Sequence, residues 1–328
     1  MRYFLKEEEK KEFLKIWKAF EKTLQESSYW NEVLEQRIPK RRWLKKAKAL
    51  DPSFYEEDPY FKNVTPLAAN RGTLSLSYQS YKKEQGFVYD EIQFDPDTYE
   101  EKTPFGYFEK PFRFLALIKN GQTWMSVIPH EMNTMRKSIE EAQGKVLVLG
   151  LGLGYYPYSL LLKENISTVT VVEYDSEIIS LFEKSLEPFF PCSQKLNLVK
   201  EDAFHYLAKE RNFDYCFADL WHMPKDGLPM YLKLRKLEKI QGRTVFRYWI
   251  ENSMLALLRR ALIVLIYEEL FEGKRDESYL FSETFDDGLI NSLHFLLKDV
   301  SIKNMADLRR YLDIGGLRMI AESLTLEA

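Results

Sequence analysis

VLVLGLGLG occupies residues 146–154 and divides into an apolar run, Val146–Leu149, and a turn that carries Gly150, Gly152 and Gly154. The apolar run has the length and the β-branched content of a buried strand. Glycine permits positive φ and lets the backbone approach a ligand closely. A helix that begins directly after such a turn offers its free N–H groups to that ligand. The motif predicts a strand–turn–helix unit that binds a ligand, although many α/β proteins use glycine turns for structure alone.

The residues after this turn alternate between apolar runs and helical stretches. The predicted strands are Val146–Leu149, Thr168–Val172, Leu196–Val199, Phe213–Ala218 and Thr244–Ile250. The predicted helices between them are Tyr155–Lys163, Glu177–Glu187 and Phe204–Lys209. This alternation is typical of parallel βαβ units with right-handed crossovers. The sequence therefore predicts a doubly wound α/β fold.

Acidic residues follow three of the predicted strands where each strand ends. Glu173 closes the second strand, 173 − 154 = 19 residues after the last glycine; Asp202 follows the third strand and Asp219 the fourth. The carboxyl ends of parallel strands meet at one edge of such a sheet, and this edge binds ligands. A carboxylate at Glu173 can accept both hydroxyl protons of a ribose, and one at Asp202 can accept from an adenine amino group. Each acid alone is typical of a protein surface, but their common position predicts a nucleoside site.

The glycine spacing distinguishes between classes of nucleotide. A dinucleotide fingerprint carries glycines in the order G-x-G-x-x-G. In this chain the glycines fall at every second residue, and Tyr155 follows the last of them. This spacing and the acid at Asp202 favour a single adenosine with an amino-acid tail.

The first fifty residues carry an amphipathic pattern and a basic run. One face of a predicted helix is formed by Phe13, Trp17, Phe20 and Leu24. The basic run, Arg37–Lys48, holds seven basic side chains and no acid. It is either a phosphate-binding patch or, as we favour, a solvated surface whose inward residues are Trp43, Leu44 and Ala47.

A small β-containing region precedes the sheet. Thr73–Tyr78 alternates polar and apolar residues, as a half-buried strand does. Asn120-Gly121 separates two further runs, Phe114–Ile118 and Thr123–Val127. It predicts a hairpin because both turn positions require positive φ. His130–Ala142 is interpreted as a helix that connects this region to the sheet.

The chain is predicted to divide into three regions. Residues 1–128 form a helical and β-hairpin region, residues 129–270 the nucleoside-binding domain, and residues 271–328 a helical tail. Asn252–Leu270 is predicted to be an apolar helix, followed by polar loops and a helix near Asn304–Leu312.

Composition limits the function classes. Hydrophobic residues make up 45% and charged residues 30% of the 328 residues, which is typical of a globular protein. A net charge of −3 does not favour binding of nucleic acid by the whole protein. The two cysteines, Cys192 and Cys216, imply no disulfide framework, and no apolar signal core or membrane span is evident. We expect a cytoplasmic protein without a membrane partner.

Together, the glycine motif, Glu173, Asp202-Ala203 and Asp219 resemble the class I S-adenosylmethionine-dependent methyltransferases over about residues 110–255. The resemblance implies that Gly150, Gly152 and Gly154 wrap the methionine part, that Glu173 binds the ribose and that Asp202 binds the adenine. The expected cofactor contacts are completed by Leu151, Tyr174, Ala203 and Asp219. Val148 stands where this family usually carries an acid, two residues before the first glycine.

One branch of that family, the polyamine synthases, is similar in further features. Its hairpin turn and its Y-H-E-M motif correspond to Asn120-Gly121 and to Pro129-His130-Glu131-Met132. The acid that this branch carries within its glycine loop is replaced by Leu153. Its catalytic loop carries two aspartates three residues apart, whereas Asp219-Leu220-Trp221-His222 keeps only the first. These acids bind and deprotonate a cationic amine, so their loss argues against aminopropyl transfer.

The resemblance implies an acceptor pocket beside the loop after the fourth strand. Asp219 is expected to hold the acceptor or the methionine amino group, and His222 to serve as the general base. Trp221 is expected to form an apolar wall, and Trp124 and His130 to close the other side. Alternatively, these side chains only pack the loop onto the sheet.

Three functions follow as hypotheses. The first is methyl transfer from S-adenosylmethionine to an unidentified small-molecule or macromolecular acceptor, with no metal site. The alternatives are a spermidine synthase-like aminopropyltransferase and a non-catalytic S-adenosylmethionine-binding protein. Nucleic acid is not favoured as a partner, and a dimer is compatible with the sequence.

Overall fold

A five-stranded parallel sheet forms the centre of the computed structural model, which describes residues 1–273 and 285–326. Its strands, in chain order, are Gly144–Leu149, Ile166–Glu173, Leu196–Lys200, Tyr215–Ala218 and Val245–Tyr248. In space they run third, second, first, fourth, fifth. The order reverses beside the first strand, so the carboxyl ends of the first and fourth strands flank the switch point at which such sheets bind ligands. This mixed α/β arrangement is consistent with a Rossmann-like fold.

Each predicted central strand is present, and no end differs from the prediction by more than two residues. The first strand is buried on both faces: Val146, Leu147, Val148 and Leu149 are at most 1% exposed. A parallel sheet is covered on both faces, so its strands are continuously apolar. The helices that connect the strands are Tyr155–Leu161, Ser176–Ser185, Ala203–Lys209 and Pro224–Glu238. The last of these was not predicted, because Pro224, Gly227 and Pro229 obscure its helical pattern.

The N-terminal helix, Glu7–Leu34, is longer than its apolar pattern indicated. Phe13 and Phe20 are buried, as predicted, and Trp17 is half-buried. The prediction for Leu24 was wrong: its side chain is 48% exposed, and the buried face passes through Thr23 instead. The Thr23 hydroxyl accepts a hydrogen bond of 3.0 Å from the Glu101 backbone N–H, and this contact turns the helix away from Leu24.

The basic run begins in a short helix, Lys40–Leu44. Trp43 is 3% exposed and packs among aromatic neighbours, while Leu44 and Ala47 are half-buried. These three residues face inward as predicted. Two further short helices follow, Ser53–Glu56 and Pro59–Asn63. Two 3₁₀ turns, Glu187–Phe189 and Ser193–Lys195, lie between the second and third strands of the central sheet.

The region in front of the central sheet is built from mostly antiparallel strands, with one parallel pairing between Lys48–Leu50 and Phe105–Phe108. A four-stranded sheet has the spatial order Gln122–Ser126, Phe112–Lys119, Leu74–Tyr81, Ala69–Arg71. The predicted hairpin is present: Asn120 and Gly121 have φ of +53° and +80° between its first two strands. The remaining pairings of this region join Lys48–Leu50 and Phe87–Val88 to Phe105–Phe108, and Gln93–Phe94 to Glu101–Lys102. The predicted connecting helix is Pro129–Glu141.

Helices form the C-terminal part. They are Glu251–Tyr267, extended by a π turn at Glu268–Glu272, then Phe285–Leu297, Met305–Leu312 and Ile314–Ser323. Ser301–Ile302, between the second and third of these helices, forms a parallel pair with Arg2–Tyr3. Residues 274–284, part of the predicted polar loops, and residues 327–328 of the predicted tail lie outside the described residues. The three-region division stays a prediction. No helix among the described residues is long and apolar enough to cross a membrane.

Candidate functional site

The glycine turn stands at the carboxyl end of the first central strand. Gly150, Gly152 and Gly154 have φ of +96°, +55° and +75°. A Cβ at Gly150 would overlap the backbone carbonyl oxygen of Asp219, and one at Gly152 would lie 2.6 Å from the Met125 Cε. The turn therefore requires glycine both for its conformation and for its close packing against the hairpin and the end of the fourth strand.

An open cleft of about 330 Å³ lies against this turn, and we call it the outer cleft. Its size is within the usual range of small-molecule sites. Its charged and titratable lining consists of Lys119, Glu173, Asp175, Glu201, Asp219, Asp226 and His222, with Tyr174 at the side. Its apolar walls are Trp124, Met125, Ile178, Ala203, Trp221 and Met230. The hairpin and the carboxyl ends of the central strands thus enclose one cavity.

Glu173 is held in a fixed position at the wall of the outer cleft. Its Oε1 accepts the Asp175 backbone N–H at 2.9 Å, and its Oε2 accepts the Leu151 N–H at 3.2 Å. Burial raises the pKa of Glu173 above its ordinary value, and these backbone donors oppose the rise. Each carboxylate oxygen has a second lone pair, so Glu173 keeps acceptor capacity for a ligand.

A smaller cavity of about 40 Å³ adjoins the outer cleft, and we call it the inner recess. Both cavities are lined by Met125, Gly150, Leu151, Gly152 and Asp219. The recess extends behind the turn to Glu131, Met135, Val148, Gly154 and Tyr156. The outer cleft and the inner recess therefore form a wide part and a narrow part around one glycine turn.

Two carboxylates in the inner recess lack the partners that Glu173 has. Burial, together with the charge of Glu173, raises the pKa of Asp219 to about 7. Burial and the charge of Asp219 raise the pKa of Glu131 well above its usual value. No cationic side chain lines the recess among the described residues. Like charges without a counter-ion retain protons in this way.

Four of the predicted acceptor-side residues line the outer cleft. The Trp124 and His222 rings lie edge to face with centroids 3.8 Å apart. The Lys119 Nζ is 4.9 Å from the Trp124 ring centroid, and it pairs with the Asp175 carboxylate at 3.1 Å. Trp221 is buried in the wall, where its indole N–H donates to the Trp249 carbonyl at 3.2 Å. Asp219 lines the same cleft.

The structure places two other predicted site residues elsewhere. The His130 ring lies against Trp249 and outside the described lining of both cavities; burial lowers the pKa of His130 to about 4. The exposed Asp202 caps the following helix, since its Oδ1 accepts the His205 N–H at 2.9 Å. Neighbouring Glu201 and Ala203 line the outer cleft. The proposed contacts of His130 with substrate and of Asp202 with adenine stay predictions.

Glu131 was not among the predicted site residues. It belongs to the Pro129-His130-Glu131-Met132 motif, and within that motif the contact with substrate was predicted for His130. On the helix Pro129–Glu141, the position after His130 points to the recess instead. Met125 was also missed, because a hairpin residue gives no sequence signal that it covers a distant turn.

Among residues 1–273 and 285–326, no group of three or more histidine, cysteine or acidic side chains is arranged to hold a metal ion. No family model matches the chain, and no curated protein matches it. Among solved structures, it is similar to spermidine synthase from Thermotoga maritima, with a TM-score of 0.32 and 16% identity over 45% of this chain and 58% of that one. A spermidine synthase in complex with the transition-state analogue AdoDATO gives a TM-score of 0.31 and 16% identity with the same coverage. The chain thus spans less than two thirds of the solved structures that it resembles.

Proposed function

We propose that the chain binds S-adenosylmethionine in the outer cleft and inner recess and transfers its methyl group to an acceptor at the cleft mouth. The observation that carries the proposal is the fixed Glu173 carboxylate beside a glycine turn that continues into an acidic recess. A ribose needs an acceptor of its hydroxyl protons, and Glu173 has free lone pairs for this. The sulfonium and the amino group of the ligand are cationic, and Asp219 and Glu131 provide negative charge for them.

The shape of the site fits this ligand. Glycine at position 150 leaves no side chain between the turn and the cleft, so the backbone itself forms the cavity surface. The wide outer cleft accommodates the adenosine, with Tyr174, Ile178, Ala203 and Met230 as the apolar walls beside the base. The narrow recess accommodates only a small group, such as the end of an amino-acid tail.

The bound sulfonium supplies an activated methyl group, so the residues of the chain have to align the acceptor and exclude water. Trp124 and Trp221 form apolar walls at the side of the cleft that His222 shares. His222 is exposed at this side of the cleft, and its imidazole is the general base that we propose for the acceptor. Asp219 lies between the recess and the cleft mouth, where it holds the cationic part of the ligand.

Isothermal titration calorimetry on the purified protein tests binding. We expect S-adenosylhomocysteine to bind with micromolar affinity and NAD to bind far more weakly, because the site has a single-nucleoside cavity and an acidic recess that repels a pyrophosphate. Tighter binding of NAD than of S-adenosylhomocysteine would refute the proposal. Transfer of a labelled methyl group to a small-molecule or macromolecular fraction then separates an enzyme from a non-catalytic binding protein.

His222→Ala is expected to leave the affinity for S-adenosylhomocysteine within about twofold and to reduce turnover with the identified acceptor by about 10²-fold or more. The loss should be smaller at high pH, where the acceptor ionises without a base. His294→Ala is the matched control, since His294 lies in the C-terminal helices and pairs with Glu269. Full turnover of His222→Ala between about pH 6 and 9 would remove His222 as the base.

Aminopropyl transfer is the second candidate, and the acidic recess is the observation that favours it. Among the described residues, no lysine or arginine lines the recess to pair with a ligand carboxylate. The recess therefore suits the aminopropyl group of decarboxylated S-adenosylmethionine, which carries an amine and no carboxylate. The catalytic loop of the polyamine synthases carries a second aspartate where this chain has the exposed His222. The absence of that carboxylate argues against deprotonation of a diamine. Calorimetry with S-adenosylmethionine and its decarboxylated form discriminates the two, since an aminopropyltransferase should prefer the decarboxylated ligand.

A further inference from the structure

Glu131 occupies the inner recess in a way that ordinary helix stabilisation does not explain. It lies in the first turn of the helix Pro129–Glu141, where an acid is favoured by the helix dipole. That effect lowers the pKa of a carboxyl group, whereas burial and Asp219 raise the pKa of Glu131. Among the described residues, no hydrogen-bond donor or cation pairs with its carboxylate. The chain therefore keeps an uncompensated acid at a cavity wall, at a cost in stability.

The surroundings of Glu131 define the group that would compensate it. Asp219 provides a second carboxylate in the lining of the same recess, and its charge acts on Glu131. The rest of the lining is the backbone of the glycine turn, apolar side chains such as Met135 and Val148, and the hydroxyl-bearing residues Ser126, Tyr155 and Tyr156. A buried pair of carboxylates is stabilised most by a cation that also donates hydrogen bonds, and an ammonium group donates three.

We propose that Glu131 and Asp219 together bind the α-amino group of the nucleoside's amino-acid tail, and that Glu131 makes the site select ligands with a cationic tail. The inference rests on the proposed function, because the outer cleft positions the nucleoside whose tail enters the recess. Val148, which also lines the recess, is apolar and buried and offers no charge to an amino group.

Binding is then coupled to a proton. Burial raises the pKa of Asp219 to about 7 and raises the pKa of Glu131 as well, so Asp219 is protonated in the free protein at about pH 5.5, and an ammonium group binds best after it ionises. Affinity for S-adenosylhomocysteine is thus expected to rise as pH increases through about 7, by up to about tenfold per pH unit, and to fall once the ligand's α-ammonium group loses its proton above about pH 8. The other titratable groups that face the pair are Tyr81 beside Glu131 and Glu173 beside Asp219. Tyr81 keeps its proton throughout this range, because burial and Glu131 raise its pKa.

The test compares S-adenosylhomocysteine with its deamino analogue, which keeps the carboxylate and lacks only the amino group. Glu131→Gln should weaken S-adenosylhomocysteine about tenfold to a hundredfold at pH 8, which is the value of hydrogen bonds to a charged group. It should leave the deamino analogue unchanged or bound more tightly. Glu140→Gln, an exposed acid on the same helix, should change neither affinity.

Each outcome decides a different point. If the parent protein binds neither ligand, the proposed function fails and the inference fails with it. If the parent binds S-adenosylhomocysteine but Glu131→Gln weakens both ligands equally, Glu131 has a structural role only, and the proposed function stands. The parent protein also provides a test without any variant: an affinity for S-adenosylhomocysteine that is flat between about pH 5.5 and 8 would overturn the inference.

Discussion

Gly150→Ala should lower the free energy of unfolding by more than about 3 kcal/mol. The new Cβ adds backbone strain at a φ of +96°, worth about 1–2 kcal/mol, and overlaps the carbonyl oxygen of Asp219. That oxygen cannot move freely, because the Asp219 N–H donates to the Leu149 carbonyl at 2.9 Å and the Gly150 N–H donates to Val172 at 2.9 Å. Relief of the overlap would therefore separate the first and fourth strands at the site itself.

Gly121→Ala is the matched control for this substitution. Gly121 has a comparable φ of +80°, but a Cβ there meets nothing within 4 Å. It should therefore cost about 1–2 kcal/mol, the strain alone. Chemical denaturation of both variants measures the difference, and equal losses would show that the packing of the turn against Asp219 contributes nothing to stability.

Glu173→Ala should reduce the affinity for S-adenosylhomocysteine at least about a hundredfold. The carboxylate is expected to accept two ribose hydroxyls, and hydrogen bonds to charged groups are worth about 1.5–3 kcal/mol each. The variant should also lose about 1–3 kcal/mol of stability, because the Leu151 and Asp175 N–H groups lose their acceptor. Calorimetry gives the first quantity and thermal unfolding the second.

Glu164→Ala is its control, since Glu164 is an exposed acid just before the same strand, at the opposite edge of the sheet. It should change neither quantity. A Glu173→Ala protein that is destabilised but binds S-adenosylhomocysteine as well as the parent would place the ribose elsewhere in the cleft.

The central sheet could be predicted from the sequence because its signals are local. Val146–Leu149 is apolar without interruption, and the Asn120-Gly121 turn has a composition that only positive φ explains. The helix Pro224–Glu238 could not be predicted, because the cost of its prolines and of Gly227 is offset by packing. A Cβ at Gly227 would lie 2.7 Å from the Trp221 ring, so the glycine allows the helix to approach that indole.

The candidate site was predictable where it follows strand ends and unpredictable where it depends on packing. Glu173 lines the cleft as the strand pattern indicated. Glu201 lines the cleft, whereas the carboxylate of its neighbour Asp202 caps a helix. An aspartate at a strand end is suited both to capping the next helix and to binding a ligand, and the sequence alone does not distinguish the two. His130 and Glu131 are neighbours in sequence, and only the direction of the helix decides that the second one reaches the recess.

The pairing of Arg2–Tyr3 with Ser301–Ile302 has a consequence for biosynthesis. The first helix stacks Trp17 on Tyr267 with ring centroids 3.8 Å apart, and its Glu12 pairs with Arg309 at 2.9 Å. A ribosome adds about 5–20 residues per second, so on the order of tens of seconds separate the emergence of this helix from that of its partners. During that interval its apolar face is open to other chains. A release from the ribosome before the last helices are made would leave the apolar face of that segment exposed to aggregation or proteolysis.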